Sequence, residues 1–186
     1  MDSSIFSQIR GFMNSAPVDV EGAARALGIE VRHAFLEREI SGQIERLPGG
    51  RYRITVNALD ASTRRRFTVA HELGHFIYHR PLIGDGVDDD RAYRSTSAGK
   101  YHNTRIGPKQ ETEANRFAAN LLMPKHLIEQ LKARGIVTTE GLAKALGVSV
   151  AAMRVREGKP PYPDPNEDFA DDDDDEGFEP WGPPRF

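Results

Sequence analysis

Two histidines one helical turn apart, with a glutamate beside the first, form the centre of this 186-residue sequence: His71-Glu72-Leu73-Gly74-His75. On an α-helix, residues four apart share a face, so His71 and His75 can reach one cation. Neutral imidazole suits Zn²⁺, and two imidazoles leave room for a third protein ligand and a water. Glu72 stands where its carboxylate can take a proton from that water. A five-residue pattern with three fixed positions recurs by chance, so its weight rests on context. Here Phe67, Val69, Ala70, Leu73, Phe76 and Ile77 flank the ligands, as in a buried amphipathic helix. The plain alternative is two core histidines with an ordinary glutamate between them, and the helical context favours the metal.

The third ligand has to come from elsewhere. The chain has no cysteine, which excludes thiolate ligands and disulfides. No His-x-x-Gly-x-x-His continuation follows His75. His79 lies one turn further on the same face, about 5.4 Å along the axis, too far to share the ion. Two glutamates of a downstream helix remain, Glu111 and Glu113.

The elements that must position these groups are legible in outline. Ile5, Ile9, Phe12 and Met13 have the spacing of a short opening helix, and Asp19 caps a second that Gly28 stops. Strand-like runs follow at 29–36, 41–47 and 51–57, the last two joined through Pro48-Gly49-Gly50 as a hairpin. The spacing predicts the central helix over 63–79, capped by Asp60 or Ser62. Residues 84–109 have no clear period and read as a long loop. Helices are expected over 110–123, 125–134, from Thr138 to Gly147, and from a Ser149 cap to about Glu157. The expected fold is α+β: a small antiparallel three-stranded sheet packed on the central His-Glu-x-x-His helix, then a C-terminal helical bundle with a helix-turn-helix-like end.

Charge divides the chain. From Asp164 onward there are ten acidic residues and one basic; the remainder carries 24 basic against 18 acidic groups. Four prolines from Pro160 to Pro165 and the Asp171 to Asp175 run imply a disordered acidic tail. The expected organisation is therefore one domain over 1–160, with 138–157 as its helix-turn-helix-like end, and a tail over 161–186. No charged segment followed by a long apolar run opens the chain, and no stretch approaches the roughly 18 apolar residues of a membrane helix. A cytoplasmic protein is the simplest expectation.

Arg66-Phe67-Thr68-Val69-Ala70-His71-Glu72-Leu73-Gly74-His75, followed by Glu111-Thr112-Glu113-Ala114-Asn115-Arg116-Phe117-Ala118-Ala119-Asn120-Leu121-Leu122-Met123-Pro124, resembles the ImmA/IrrE metallopeptidases. The likeness extends over roughly Pro17 to Glu157. It implies a gluzincin-like zinc endopeptidase in which His71, His75 and Glu111 hold Zn²⁺ and Glu72 is the base. The Glu-x-x-x-Asn spacing agrees, since it puts Glu111 and Asn115 on one face, where Asn115 can accept a hydrogen bond from a ligand imidazole. Glu113 would point about 200° away, as a surface charge or a partner of Arg116.

Hydrolysis also needs a donor for the oxyanion of the tetrahedral intermediate. Tyr78, His79, Tyr101 and His102 are the candidates. His79 is the choice among them because it lies on the ligand face and the family resembles this chain in having a histidine there. The implied substrate is a helix-turn-helix transcriptional repressor, cut to relieve repression in a stress response or mobile-element regulation. The alternative is a non-proteolytic zinc-binding regulator, or a protein that binds DNA or a partner through Thr138 to Arg156. The second helix of that pair, the one that would read DNA, offers only Arg154, Arg156 and Lys159 as basic groups, too little charge for direct DNA binding. That end reads better as packing or as a docking surface.

Overall fold

The computed structural model describes residues 3–83, 93–95 and 106–162. Helix α1 (Ser3–Arg10) and helix α2 (Val20–Ala26) precede strands β1 (Ile29–Ala34), β2 (Gly42–Arg46) and β3 (Tyr52–Asn57). The central helix α3 (Ser62–Tyr78) follows, then a three-residue strand β4 (Tyr93–Ser95) and helices α4 (Pro108–Leu122), α5 (Lys125–Ala133), α6 (Thr139–Leu146) and α7 (Val150–Arg156). No helix among the described residues is long and apolar enough to cross a membrane.

The sheet is mixed rather than antiparallel, and it has a fourth strand, in the order β1-β3-β2-β4. β2 pairs antiparallel with β3, with Ile44 opposite Ile54, as the Pro48-Gly49-Gly50 connection requires. β1 instead pairs parallel with the far edge of β3, Val31 beside Ile54. The expectation failed because alternation reports which face of a strand is buried, not which neighbour it pairs with. β3 becomes central because Ile54 and Val56 are fully buried, and the chain reverses twice before reaching it.

Buried Asn57 holds the detour between β1 and β2. Its amide nitrogen donates to the carbonyls of Glu37 (3.2 Å) and Ile40 (2.9 Å), and its own backbone N–H donates to the Ser41 carbonyl at 2.8 Å. An apolar substitute would leave buried carbonyls without donors, which costs about 1–3 kcal/mol for each.

Helix α3 lies against β2 and β3 on one side and α4 on the other. Gly42 of β2 meets the Thr68 methyl of α3, and Phe76 of α3 meets Tyr52 of β3 edge-on at 5.0 Å. Its N-cap position is Ala61, with no side-chain cap, so neither Asp60 nor Ser62 has that role. The caps expected at Asp19 and Ser149 are present, accepting from Gly22 N and Ala152 N. Arg66 ties α3 to the C-terminal helices. Its guanidinium donates to the carbonyls of Gly147 (3.0 Å) and Val18 (2.8 Å).

The α3–α4 contact depends on Gly74. A Cβ there would stand 2.9 Å from Ala114 Cα and 3.2 Å from the Ala114 carbonyl oxygen, both backbone atoms. Gly74→Val is therefore expected to destabilise the fold by about 1–3 kcal/mol, the usual cost of overpacking. Urea denaturation checks this, and a variant as stable as the parent would refute close helix packing at this point.

Candidate metal centre

The middle of α3 is buried on every side. His71 is 3% exposed, and Glu72 and His75 are 0% exposed. A neutral imidazole tolerates such a place; an imidazolium does not. Burial first, and the neighbouring His71 second, push the His75 pKa down to about 3. His75 is therefore neutral at ordinary pH and has a lone pair to offer.

The two imidazoles face each other with their Nε2 atoms 2.9 Å apart. Glu111, from the first turn of α4, completes a triangle. Its Oε2 is 3.3 Å from His71 Nε2 and its Oε1 is 3.7 Å from His75 Nε2. One ligand atom from each of the three residues lies within 4.8 Å of the other two. A tetrahedral ion with bonds of about 2.0–2.1 Å spaces its ligands about 3.3 Å apart, so the donor set fits such an ion in type and in separation.

Glu72 supplies a second observation that fits a metal centre. Both of its carboxylate oxygens are buried, and neither has a hydrogen-bond partner among the described residues. Burial holds its carboxyl well above the usual carboxylate range, and the nearby Glu111 carboxylate raises it further. Leaving a buried acceptor unpaired costs about 1–3 kcal/mol. A cation and its water beside the carboxylate would relieve that cost.

The surroundings orient the rings. His71 Nδ1 stands 2.9 Å from Asn115 Oδ1, one turn along α4 from Glu111. With the proton on His71 Nδ1, Asn115 accepts it and Nε2 keeps its lone pair on the side of His75 and Glu111. His75 Nδ1 faces His79 Nδ1 at 3.1 Å, and His79 Nε2 faces Glu113 Oε2 at 2.9 Å. His79, at the C-cap of α3 and 5% exposed, thus has both ring nitrogens engaged. The oxyanion role expected for it would require one of these two contacts to give way to a substrate.

Glu113 also departs from the surface-charge expectation. A 200° separation on one helix ignores that α3 crosses α4, so its neighbours differ from turn to turn. The hydrogen bond from His79 holds the Glu113 carboxyl below its ordinary range. No pattern within either helix announces this pair; a His four residues after His75 and a Glu two after Glu111 were the only signals. Tyr78 lines a cavity of about 450 Å³ with Phe6, Glu113 and Phe117, its ring edge-on to Phe117 at 5.7 Å. Tyr101 and His102 lie outside the described residues, as does the acidic segment from residue 163 onward.

Fold and donor set together define an α+β protein with a histidine–carboxylate cluster, of a kind that can hold a metal ion, shared by two packed helices. Residues 24–156 match the family model described as Peptidase_M78, IrrE N-terminal-like domain, and the chain belongs to that family. Two curated relatives are both named radiation response metalloprotease IrrE. The chain is 37% identical to the one from Deinococcus deserti and 36% identical to the one from Deinococcus radiodurans, over 91 residues in each case. Those residues are 49% of this chain but only 29% and 25% of the two relatives, so the chain spans a little over a quarter of their length.

Proposed function

We propose that this chain is a zinc-dependent endopeptidase with His71, His75 and Glu111 as metal ligands and Glu72 as general base, borne by one metallopeptidase domain over residues 1–160. The observation that carries the reading is a buried, partnerless carboxylate beside three convergent donors. A purely structural metal site has no use for such a group, whereas a hydrolytic one needs a base held near its water. Membership of the Peptidase_M78 family and the metalloprotease names of the two relatives support it.

A Zn²⁺ bound by these residues lowers the pKa of a water toward about 7 and polarises a carbonyl. Glu72 takes the proton of the attacking water and returns it to the leaving amine. Burial raises its pKa above the ordinary carboxylate range, the direction that suits a group which accepts and then releases a proton. Asn115 holds the His71 ring in the orientation that keeps Nε2 toward the site.

The substrate reading is a helix-turn-helix repressor, and it rests on the family resemblance. The C-terminal helices α6 and α7, joined through Gly147 in a left-handed conformation, then serve for docking rather than for DNA. The basic groups on and just after α7 are already engaged. Arg154 donates to the Pro160 carbonyl, Arg156 to Asn120, and Lys159 to Glu157. Phosphate contacts need free positive charge.

Protein purified without added metal is expected to contain about one zinc per chain and to cleave a co-expressed helix-turn-helix repressor. Chelation should abolish cleavage and zinc should restore it. Cleavage that persists after complete metal removal would overturn the reading, as would a chain that binds no metal.

A further inference from the structure

The two histidines of the site are not supported alike. His71 leans on a neutral amide, whereas His75 leans on a second histidine and, through it, on a carboxylate. We infer that Glu113 and His79 form a hydrogen-bonded relay that fixes the tautomer and ring position of His75, and so sets how tightly the site holds its metal. This rests on reading the site as a metal centre and makes His79 and Glu113 positioning residues.

The protons can be placed by elimination. Glu113 Oε2 is 2.9 Å from His79 Nε2, and an ionised carboxylate only accepts, so His79 Nε2 carries a hydrogen. When the His79 ring carries that one hydrogen, its Nδ1 keeps a lone pair. That atom faces His75 Nδ1 at 3.1 Å, so His75 Nδ1 must donate. The remaining nitrogen of His75, Nε2, is left with its lone pair toward His71 Nε2 and Glu111.

The reverse order fails. If His79 Nδ1 donated to His75, a neutral His79 would present a bare Nε2 to the carboxylate, two acceptors 2.9 Å apart with no cation to bridge them, whereas the facing Nε2 atoms of His71 and His75 are bridged once a metal is bound. The proton of His75 would also move to Nε2, where it would block the ligand position. One carboxylate at the α4 surface thus selects the ligating tautomer of a histidine two hydrogen bonds away. The packing makes the selection firm. His75 and His79 are nearly fully buried, and their rings stand 5.2 Å apart between centroids, so neither can turn to water instead.

The test measures Zn²⁺ affinity by competition with a chromogenic chelator, using the full chain. His79→Phe keeps the ring but removes the acceptor, and Glu113→Ala removes the end of the relay at a half-exposed position that the fold tolerates. Losing a hydrogen-bond partner of a metal-bound histidine typically weakens affinity 10–100-fold, and each variant should lose affinity in that range. His79→Gln, whose amide oxygen can accept from His75 Nδ1, should regain part of the loss. The metal-free melting temperatures of His79→Phe and His79→Gln should agree, because a merely structural role for His79 would move stability and not affinity. Parental affinity in His79→Phe or Glu113→Ala would overturn the relay. Absence of zinc binding in the parent chain would overturn the metal reading itself, and the relay with it, so the two failures are distinguishable.

Discussion

In Glu72→Gln, peptidase turnover is expected to fall about 10²–10⁴-fold, the usual contribution of a positioned general base, while the zinc content stays at the parental level. Gln has nearly the shape of Glu, so the buried space around residue 72 stays filled. Its amide cannot take a proton from water at neutral pH. The ligands His71, His75 and Glu111 are untouched. The structure adds a reason to expect an intact fold: neither oxygen of Glu72 has a hydrogen-bond partner among the described residues, so the substitution breaks no contact there. Metal analysis, thermal melting and a cleavage assay on the same preparation decide the matter. Retained turnover would remove Glu72 from the mechanism. Lost zinc would make it a ligand or a structural support instead.

Glu111→Gln should empty the site. The zinc content of the purified protein should drop from about one per chain toward none, and activity should go with it. A neutral amide oxygen is a much poorer ligand for Zn²⁺ than a carboxylate, and two imidazoles alone rarely retain the ion against a purification. Glu111 lies on the first turn of α4 and is about a third exposed, so the exchange should disturb packing little. Full zinc occupancy in Glu111→Gln would overturn the ligand set. Together the two variants separate holding the metal from using it.

The close approach of α3 and α4 underlies both results. Gly74 lies between Glu72 and His75 in sequence, and its missing side chain lets the Ala114 backbone come within contact distance. Ala114 is itself next to Asn115 and three residues past Glu111. Any side chain at 74 pushes on the helix that supplies the third ligand, so Gly74→Val should weaken zinc binding as well as the fold.

What the sequence determined by itself was local. The i, i+4 spacing of His71 and His75, the apolar stripe beside them and the Glu-x-x-x-Asn face of α4 all follow from helical periodicity, which is a property of the chain over a few residues. The helix positions and the stops at Gly28, Pro81 and Gly147 are legible for the same reason. Tertiary structure decided the relations between elements. β1 joins β3 in parallel because β3 is the most deeply buried strand, and alternation carries no information on pairing partners. Glu113 meets His79 because α3 and α4 cross, and a helix-wheel argument confined to α4 cannot contain that crossing. His79 meets, through its two ring nitrogens, groups four and 34 residues distant. Spacing along one helix is written in the chain; the identity of the neighbour across a packed interface exists only once the helices have met.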